Sequence, residues 1–405
     1  MKKILIFSLA YFPKHVGGAE IAIKEITDRI SDIEFHMVTN RYDSMLPREE
    51  KIGNVIVHRI GIVAKNPTMS DLKKFPLNLN KLLFQFSAAF KALELHRKYN
   101  FDGTWAMMAH ACGVPAALFK MKHPNVPYLL TLQEGDPTEY IEAKMRPLWP
   151  LFTRAFVLAD MMQTISTFLA RWARARMYRG PLEVVPNAVN AAHFAHDFSD
   201  DELLSARAKL GKKPGDVFVV TTSRLVKKNA VDDVINAMSL LPKHTHFIIF
   251  GIGPDEKILK DLVSKKHLED RVHFCGQVGH AELPLQLKAC DIFTRPSRSE
   301  GMGNSFVEAM AAGLPVIATQ EGGLSDFLFD EIKNPDKPMT GWAVDRDSPE
   351  QIADAIKDII ANPEKVMRVT QTAKKMVFEK YDWDIIAKDM REKVFAQLFK
   401  IKIDG

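Results

Sequence analysis

Two glutamates, Glu300 and Glu308, have the spacing in this sequence that most directly suggests chemistry. Residues 301–305 between them read Gly-Met-Gly-Asn-Ser, a turn composition, and the apolar pattern that follows predicts a short helix ending at Gly313. A turn of this kind leaves unpaired N–H groups beside the positive end of the helix dipole, where a phosphate is favoured. Because carboxylates repel a phosphate, we expect the two glutamates to accept hydrogen bonds from hydroxyl groups instead.

The two glutamates alone would favour an ordinary buried helix after a charged turn, but the full string from Glu300 to Thr319, EGMGNSFVEAMAAGLPVIAT, is more specific. It resembles the E-x7-E motif of retaining GT-B glycosyltransferases, the family 4-like or group 1 enzymes. The resemblance implies that Glu300 contacts the hydroxyls of the donor sugar and that Glu308 contacts the ribose of the nucleotide. It also implies that the turn between them binds the donor, through Gly301, Met302, Gly303, Asn304 and Ser305.

A basic turn follows the apolar run 217–223, which is predicted to be the first strand of a second domain. Fixed Arg and Lys side chains can neutralise a departing diphosphate without a proton transfer. The resembling family has the pattern G-R-L-V-x-x-K-G here, and Arg224 matches its arginine, whereas Asn229 stands where its lysine is expected. We therefore expect Arg224 and Lys228 to contact phosphate, with Lys227 as an alternative to Lys228. A solvated basic turn is the less favoured alternative.

Three segments of the first half are further candidates. Gly17 and Gly18 open a predicted helix and are similar to the family's G-G-A-E element, where a backbone N–H can approach the donor closely. His110 follows a predicted strand, and the resemblance implies a contact with the reacting sugar, although a lone histidine is more often a core or surface residue. Glu134 and Asp136 lie in a stretch that resembles the family's T-x-H-G-x-D. They are candidates for binding acceptor hydroxyls, and an exposed acidic loop is an equal alternative.

Two other segments resemble turns that meet the nucleotide in the family. Gly251 belongs to Phe-Gly-Ile-Gly-Pro, which is similar to the G-x-G-P turn, and Val278 belongs to the segment whose backbone meets the base. Backbone contacts leave little trace in a sequence, so the donor is expected to be a UDP- or GDP-sugar without a choice between them.

Short apolar runs alternate with helical patterns twice along the chain, which predicts mostly parallel sheets with helices on both faces. Ligands of such sheets bind at the carboxyl ends of the strands. We expect an acceptor-side Rossmann-like domain at 1–190 and a donor-side one at 197–380. The fold class is α/β, and the resemblance implies a GT-B arrangement in which the domains face a cleft and a C-terminal helix, within 381–405, packs back on the first domain.

Composition restricts the remaining possibilities. The chain has 405 residues, 46% of them hydrophobic, and a net charge of +5, which suits a phosphorylated partner or an anionic membrane but does not indicate nucleic acid. No apolar run has the length of a membrane span, and the first residues are better explained by a buried strand than by a signal peptide. The three cysteines are too few and scattered for disulfides or a zinc site. We expect a cytoplasmic protein.

A stretch of interleaved arginines and large apolar side chains, residues 168–179, could lie on the inner face of an anionic membrane. A surface helix with snorkelling arginines is the interpretation that we favour. Peripheral membrane contact therefore remains an open expectation, which the resemblance to enzymes with lipid-linked acceptors supports.

These patterns lead to one functional expectation. We expect a retaining hexosyltransferase that moves a hexose-type sugar from a nucleotide-diphosphate sugar to a hydroxyl of a glycan or lipid-linked acceptor. The sequence has no D-x-D pair in a plausible position, so we expect no divalent metal and no other cofactor. The alternatives are a sugar-nucleotide-binding subunit without transfer activity and a GT-B epimerase, which would need an acid/base pair that we do not find.

Overall fold

The computed structural model describes residues 1–14, 16–68 and 70–401, and the chain divides into two compact units. One unit contains Met1–Asn187 together with the C-terminal segment that begins at Trp383, and the other contains Ala188–Asp382. Both are built on largely parallel sheets, as the alternation of apolar runs and helical patterns predicted. The expected α/β fold class is therefore confirmed.

In the described residues, the sheet of the first unit has eight strands: β1 (Lys2–Phe7), β2 (Ile33–Asn40), β3 (Glu49–Ile52), β4 (Val55–Ile60), β5 (Gly103–Met107), β6 (Tyr128–Leu132), β7 (Met161–Thr164) and β8 (Leu182–Val184). Their order is β3-β4-β2-β1-β5-β6-β7-β8, and β3–β4 is the antiparallel pair at one edge. The central strands are apolar and buried throughout, as expected where helices cover both faces of a sheet.

The helices of the first unit follow the strands in alternation. They are α1 (Gly18–Asp28), α2 (Asn80–Tyr99), α3 (Val114–Lys122), α4 (Thr138–Met145), α5 (Trp149–Val157) and α6 (Thr167–Ala175). A π-helical turn over Ala109–Gly113 connects β5 to α3, and it follows Met108, whose φ of 67° is left-handed. Regular α-helix begins only at Val114, because the chain first makes this strained turn at the end of the strand.

The second unit repeats the architecture with six described strands, β9 (Val217–Thr222), β10 (Thr245–Phe250), β11 (Val272–Gly276), β12 (Ile292–Arg295), β13 (Val316–Ala318) and β14 (Trp342–Ala343). Their order is β11-β10-β9-β12-β13-β14, and the neighbouring strands are parallel. The helices are α7 (Ala191–Ala195), α8 (Asp200–Lys209), α9 (Val231–Met238), α10 (Glu256–Lys265), α11 (Leu283–Lys288), α12 (Asn304–Ala311), α13 (Pro349–Ala361) and α14 (Pro363–Lys380).

The C-terminal segment belongs to the first unit. It contains α15 (Trp383–Asp389), a π-helical stretch over Met390–Phe395 and the short α16 (Ala396–Leu398). The ring of Phe395 packs 5.9 Å from Phe35 and 5.3 Å from Trp105, measured between centroids, and Arg29 Nε donates to Asp384 Oδ1 at 2.6 Å. Apolar contacts therefore hold this segment on the sheet of the first unit.

Candidate functional site

The candidate site of the second unit lies at the carboxyl ends of β9, β10, β12 and β13. The chain leaves β9 for β10 on one side, whereas β12 continues to β13 on the other, so β9 and β12 flank the point where the strand order reverses. Such a switch point opens a crevice in doubly wound sheets. The loops that meet there are 223–230, 251–255, 296–303 and 319–322.

Glu300 is held by an arginine that the sequence analysis did not single out. Arg295, at the end of β12, donates from Nη2 to Glu300 Oε1 at 2.6 Å, and Ser297 Oγ donates to the same oxygen at 3.2 Å. Both members of the ion pair are buried, and the Arg295 guanidinium lies 4.4 Å from the ring centre of Phe306. Among the described residues, all side-chain donors to Glu300 reach Oε1, which leaves Oε2 for a ligand hydroxyl.

The backbone at Glu300 is fixed by the loop after β13. Gly323 N donates to Glu300 O at 3.1 Å, and a Cβ on Gly322 would lie 1.9 Å from the same oxygen. Gly322 also has a φ of +62°, so both the lack of space for a Cβ and the backbone conformation favour glycine here. Two loops therefore determine where the carboxylate stands.

The turn after Glu300 opens α12 as predicted. Gly303 is the N-cap residue with a φ of 89°, while Gly301 and Met302 are buried. The hydroxyl of Ser305, in the first turn of α12, is buried and has no hydrogen-bond partner among the described residues. A buried unpaired hydroxyl is unusual in a folded protein. It lies beside the backbone N–H groups of the first turn of α12, and together with them it can donate to an anion.

Glu308 faces a second group that the sequence analysis missed. Its Oε1 is 3.7 Å from His280 Nε2, and the imidazole of His280 stacks on His193 with centroids 5.6 Å apart and meets the edge of Phe194. Neither histidine belongs to the motifs that carried the resemblance. Glu308 is 15% exposed at its side chain, so its carboxylate remains partly accessible for a hydroxyl.

The basic turn after β9 is exposed at Arg224 and Lys227 and half-buried at Lys228. Asn229, which occupies the expected lysine position, is 5% exposed, and its Nδ2 donates to Arg224 O at 2.6 Å. Its amide therefore shapes the turn that presents Arg224. The hydroxyls of Thr222 and Ser223 at the start of this turn are buried without partners in the described part of the chain.

Gly251 and Gly253 pack directly on this basic turn. A Cβ on Gly251, which has a φ of +152°, would lie 1.8 Å from Ser223 O, and one on Gly253 would lie 2.1 Å from Leu225 O. The backbone of Gly251 also donates to Gly276 O at 2.7 Å. Val278 is half-buried just beyond β11.

Arg298 supports the same turn from the β12 loop. Its guanidinium forms ion pairs with Asp232, Asp233 and Asp347, and its Nη1 donates to Lys227 O at 2.6 Å. Partial burial opposes the charged form, but the hydrogen bonds with Asp232 and Asp347 hold the pKa of Arg298 above its ordinary value. We therefore assign Arg298 a structural role, and Asp232 with Asp233 serve as its partners.

In the first unit, Glu134 is buried beneath His110. Its Oε1 accepts from Ala109 N at 2.6 Å and lies 3.4 Å from His110 Nδ1, while its Oε2 accepts from Gln133 N at 2.9 Å. This carboxylate therefore organises the strand-end turn that carries His110. Asp136 is exposed two residues later.

Gly17 and Gly18 lie at the start of α1 and are exposed. Gly17 N donates to Glu20 Oε2 at 2.7 Å, and burial raises the pKa of Glu20 above its ordinary value. A Cβ on Gly18 would meet no described atom within 4 Å. The helix start is therefore open to an approaching group.

The arginines of 168–179 are largely engaged within the first unit. The Arg176 guanidinium lies 4.1 Å from the ring centre of Trp149, and Arg174 Nη1 donates to the carbonyls of Tyr178 and Gly180. Two of the four arginines in this stretch therefore have partners within the protein and do not need a membrane to explain their positions.

The described residues contain no group of three or more His, Cys, Asp or Glu side chains that could hold a metal ion. Among the described helices, none combines the length and the apolar character needed to span a bilayer.

Comparison with known proteins shows which proteins this chain resembles. Residues 204–376 match the family model described as "Glycosyl transferases group 1". A GDP-mannose-dependent alpha-(1-6)-phosphatidylinositol monomannoside mannosyltransferase of Mycobacterium tuberculosis is 29% identical over 238 residues. This alignment covers 55% of the chain and only 59% of the relative. An uncharacterized glycosyltransferase of Methanocaldococcus jannaschii is 26% identical over 96% of both chains.

An alpha-monoglucosyldiacylglycerol synthase of Acholeplasma laidlawii is 27% identical over 37% of the chain and 39% of its own length. Among solved structures, sucrose-phosphate synthase from Thermosynechococcus elongatus superposes with a TM-score of 0.80 at 22% identity, covering 99% of this chain and all of that one. Anabaena HepE in complex with UDP-glucose gives 0.75 at 20% identity, with 98% and 100% covered. The expected resemblance to group 1 glycosyltransferases and the GT-B fold class are thus confirmed.

Proposed function

On the premise that residues 204–376 form a group 1 glycosyl transferase domain, we propose that this protein is a glycosyltransferase that uses a nucleotide-diphosphate sugar. The observation that carries the proposal is the arrangement around Glu300. Its carboxylate is fixed by Arg295 at the same sheet edge as the start of α12 and the basic turn that bears Arg224. Carboxylate, amides and cations suit the hydroxyls and the diphosphate of a sugar nucleotide.

In the proposed mechanism, Glu300 orients the hexose through Oε2 and Glu308 holds the ribose. The Arg224 guanidinium, the Lys228 ammonium and the N–H groups at the start of α12 stabilise the negative charge that develops on the diphosphate as the glycosidic bond breaks. Since these groups are positive before the bond breaks, no proton has to be transferred to the leaving group first. His110 is assigned to the reacting sugar.

Retention of configuration and independence from divalent metals are part of this proposal. Retention is supported by the E-x7-E motif, and metal independence by the fixed cations of the basic turn. The acceptor is proposed to be a hydroxyl of a glycan or of a lipid-linked molecule. The names of two relatives support the lipid-linked class, since one acts on a phosphatidylinositol mannoside and the other is a diacylglycerol glycoside synthase.

A panel of UDP- and GDP-sugars, incubated with the full chain in EDTA, tests the proposal. Release of the nucleoside diphosphate, with the anomeric configuration of the product read by NMR, is the expected result. Binding of a donor without turnover toward any acceptor would instead identify a binding subunit. A requirement for added metal, or an inverted product, would refute the corresponding part of the mechanism.

A further inference from the structure

Helix α2 and the segment before it expose an apolar surface that the proposed chemistry does not use. On α2, the side chains of Leu82, Leu83, Phe86 and Phe90 are 56%, 45%, 40% and 72% exposed. With about 100° of rotation per residue, these four positions lie within a sector of about 100° on one side of the helix. Phe75 is 79% exposed and Leu79 is 36% exposed immediately before the helix. We call these six residues the α2 apolar face.

The α2 apolar face is distinct from the face of α2 that builds the core. Phe84, Ala88, Ala92 and Leu95 are buried and anchor the helix in the first unit. Amphipathic helices of soluble proteins usually place polar side chains opposite such a stripe. Single exposed apolar residues are common, but a contiguous group with two aromatic rings on one helix indicates a contact surface.

The charges around this face favour an anionic partner. Residues 65–90 contain four lysines, Lys65, Lys73, Lys74 and Lys81, and a single acidic residue, Asp71. Lys73, Lys74 and Lys81 are exposed, and Lys74 Nζ pairs with Asp71 Oδ1 at 2.9 Å. Apolar side chains flanked by lysines combine the two attractions by which a helix binds in the interface of an anionic bilayer.

The structure therefore points to a surface other than the one that the sequence suggested. In 168–179, Arg174 and Arg176 contact the protein itself, and Trp172 is buried with its Nε1 donating to Glu142 at 2.9 Å. The α2 region has the opposite character, because the six large apolar side chains of the α2 apolar face are exposed. An interfacial helix needs exposed apolar area as well as charge.

We propose that the α2 apolar face binds the surface of an anionic lipid bilayer. The helix lies parallel to the membrane plane, with Phe86, Phe90 and the leucines among the upper acyl chains and the lysines beside the anionic headgroups. The partner is the lipid surface itself and not a single headgroup. This inference does not depend on the proposed transfer activity.

Vesicle co-sedimentation of the full chain tests the proposal, with phosphatidylcholine vesicles that contain phosphatidylglycerol compared with pure phosphatidylcholine. We expect clear binding to the anionic vesicles only. The double variant F86S/F90S should lower the partition coefficient at least about tenfold, because it removes two exposed aromatic rings that would enter the bilayer. The matched control I258S/I332S removes two exposed apolar side chains of the second unit, 68% and 84% exposed, and should bind as the parent does.

The electrostatic contribution is tested separately. The triple variant K73Q/K74Q/K81Q should lose at least about tenfold in binding to anionic vesicles, and added salt should weaken the parent in the same way. Binding that is absent, or equal for both vesicle types, would overturn the proposal. So would a parent dimer that F86S/F90S converts to a monomer in light scattering, because the face would then join two copies of the chain.

Two variants separate this proposal from the proposed function. E300A should bind vesicles as the parent does, whereas F86S/F90S should unfold at the parental temperature and release nucleotide from the donor at the parental rate in the absence of membranes. Failure of vesicle binding would leave the donor chemistry intact. Absence of donor turnover in the parent, with vesicle binding retained, would refute only the enzyme.

Discussion

Arg295 Nη2 donates to Glu300 Oε1 across 2.6 Å, and the side chains of the pair are 8% and 10% exposed. A buried ion pair of this kind contributes little net stability, because desolvation of both charges offsets their attraction. It does restrict geometry, since the planar guanidinium also reaches Ser297 Oγ and Thr222 O. We infer that Arg295 positions the carboxylate that contacts the sugar.

Arg295→Lys is expected to lower kcat by about 10²-fold with a smaller change in KM, because a lysine keeps the charge but not the fork that orients Glu300. Arg295→Met should cost about 3–5 kcal/mol of unfolding free energy by leaving Glu300 buried and unpaired. Steady-state kinetics and urea unfolding measure the two effects. Arg346→Lys, at an arginine 50% exposed, is the matched control and should change neither. Parental kcat in Arg295→Lys would contradict the positioning role.

Ser305→Ala should leave the free protein as stable as the parent, because the hydroxyl has no partner to lose among the described residues. If this hydroxyl forms a hydrogen bond with the diphosphate of the sugar nucleotide, the variant should bind UDP or GDP about tenfold more weakly, as expected for a hydrogen bond to a charged group. Isothermal titration calorimetry measures this difference. Ser264→Ala, at an exposed position of α10, provides the control. A destabilised Ser305→Ala with unchanged affinity would refute the assignment.

Arg224→Ala is expected to reduce turnover by about 10²-fold or more, since a fixed cation beside the leaving diphosphate acts in the transition state. Lys228→Ala and Lys227→Ala, compared under single-turnover conditions, identify which ammonium acts with it, and we expect the larger loss for Lys228. Lys213→Ala removes an exposed lysine of the same unit and should have no effect. Near-parental rates in both Arg224→Ala and Glu300→Ala would remove the basis of the proposed site.

Glu134→Ala should destabilise the first unit by about 2–4 kcal/mol, because Ala109 N and Gln133 N would both lose their acceptor in a buried environment. It should also lower the reaction rate as the turn that carries His110 relaxes. His110→Ala should lower the rate without the same loss of stability. Chemical denaturation and kinetics of the two variants test this difference, with Glu139→Ala at an exposed position as the control.

The first unit should lose stability on acidification through a pair of buried histidines. His36 Nδ1 and His58 Nε2 are 3.1 Å apart, and burial lowers both pKa values, that of His58 to about 4. In the unfolded chain His58 binds a proton near pH 6.5, whereas in the folded chain it binds one only near pH 4. The unfolding free energy should therefore fall as the pH falls between these values.

Urea unfolding of the full chain across this pH range measures the effect. His58→Gln should flatten the dependence, whereas His244→Gln, at an exposed histidine, should preserve it. An identical slope in parent and His58→Gln would show that other groups control the acid sensitivity.

The fold class could be predicted from the sequence because a parallel sheet covered on both faces produces short apolar strands that alternate with amphipathic helices along the chain. Apolar runs such as 217–222 alternate with amphipathic helices, and Gly and Pro mark the ends. Glu300 and the turn of α12 could be predicted for the same reason, since the whole motif lies within one continuous segment. The π-helical stretch over Met390–Phe395 in the C-terminal segment was not predicted, because its apolar side chains keep the spacing of a regular helix.

The sequence by itself thus determined the alternating architecture, the family resemblance and the residues of each local motif. Only the tertiary structure decided their partners, because a hydrogen bond between loops has no periodic signature. In the folded protein Arg295 donates to Glu300, and Asn229 stabilises the turn that carries Arg224. The hydroxyl of Ser305 is buried without a partner among the described residues. The tertiary structure also decided which face of α2 is buried. Phe84 and Phe86 are both phenylalanines on one apolar helix, and packing against the sheet alone determines that one is in the core and the other at the surface.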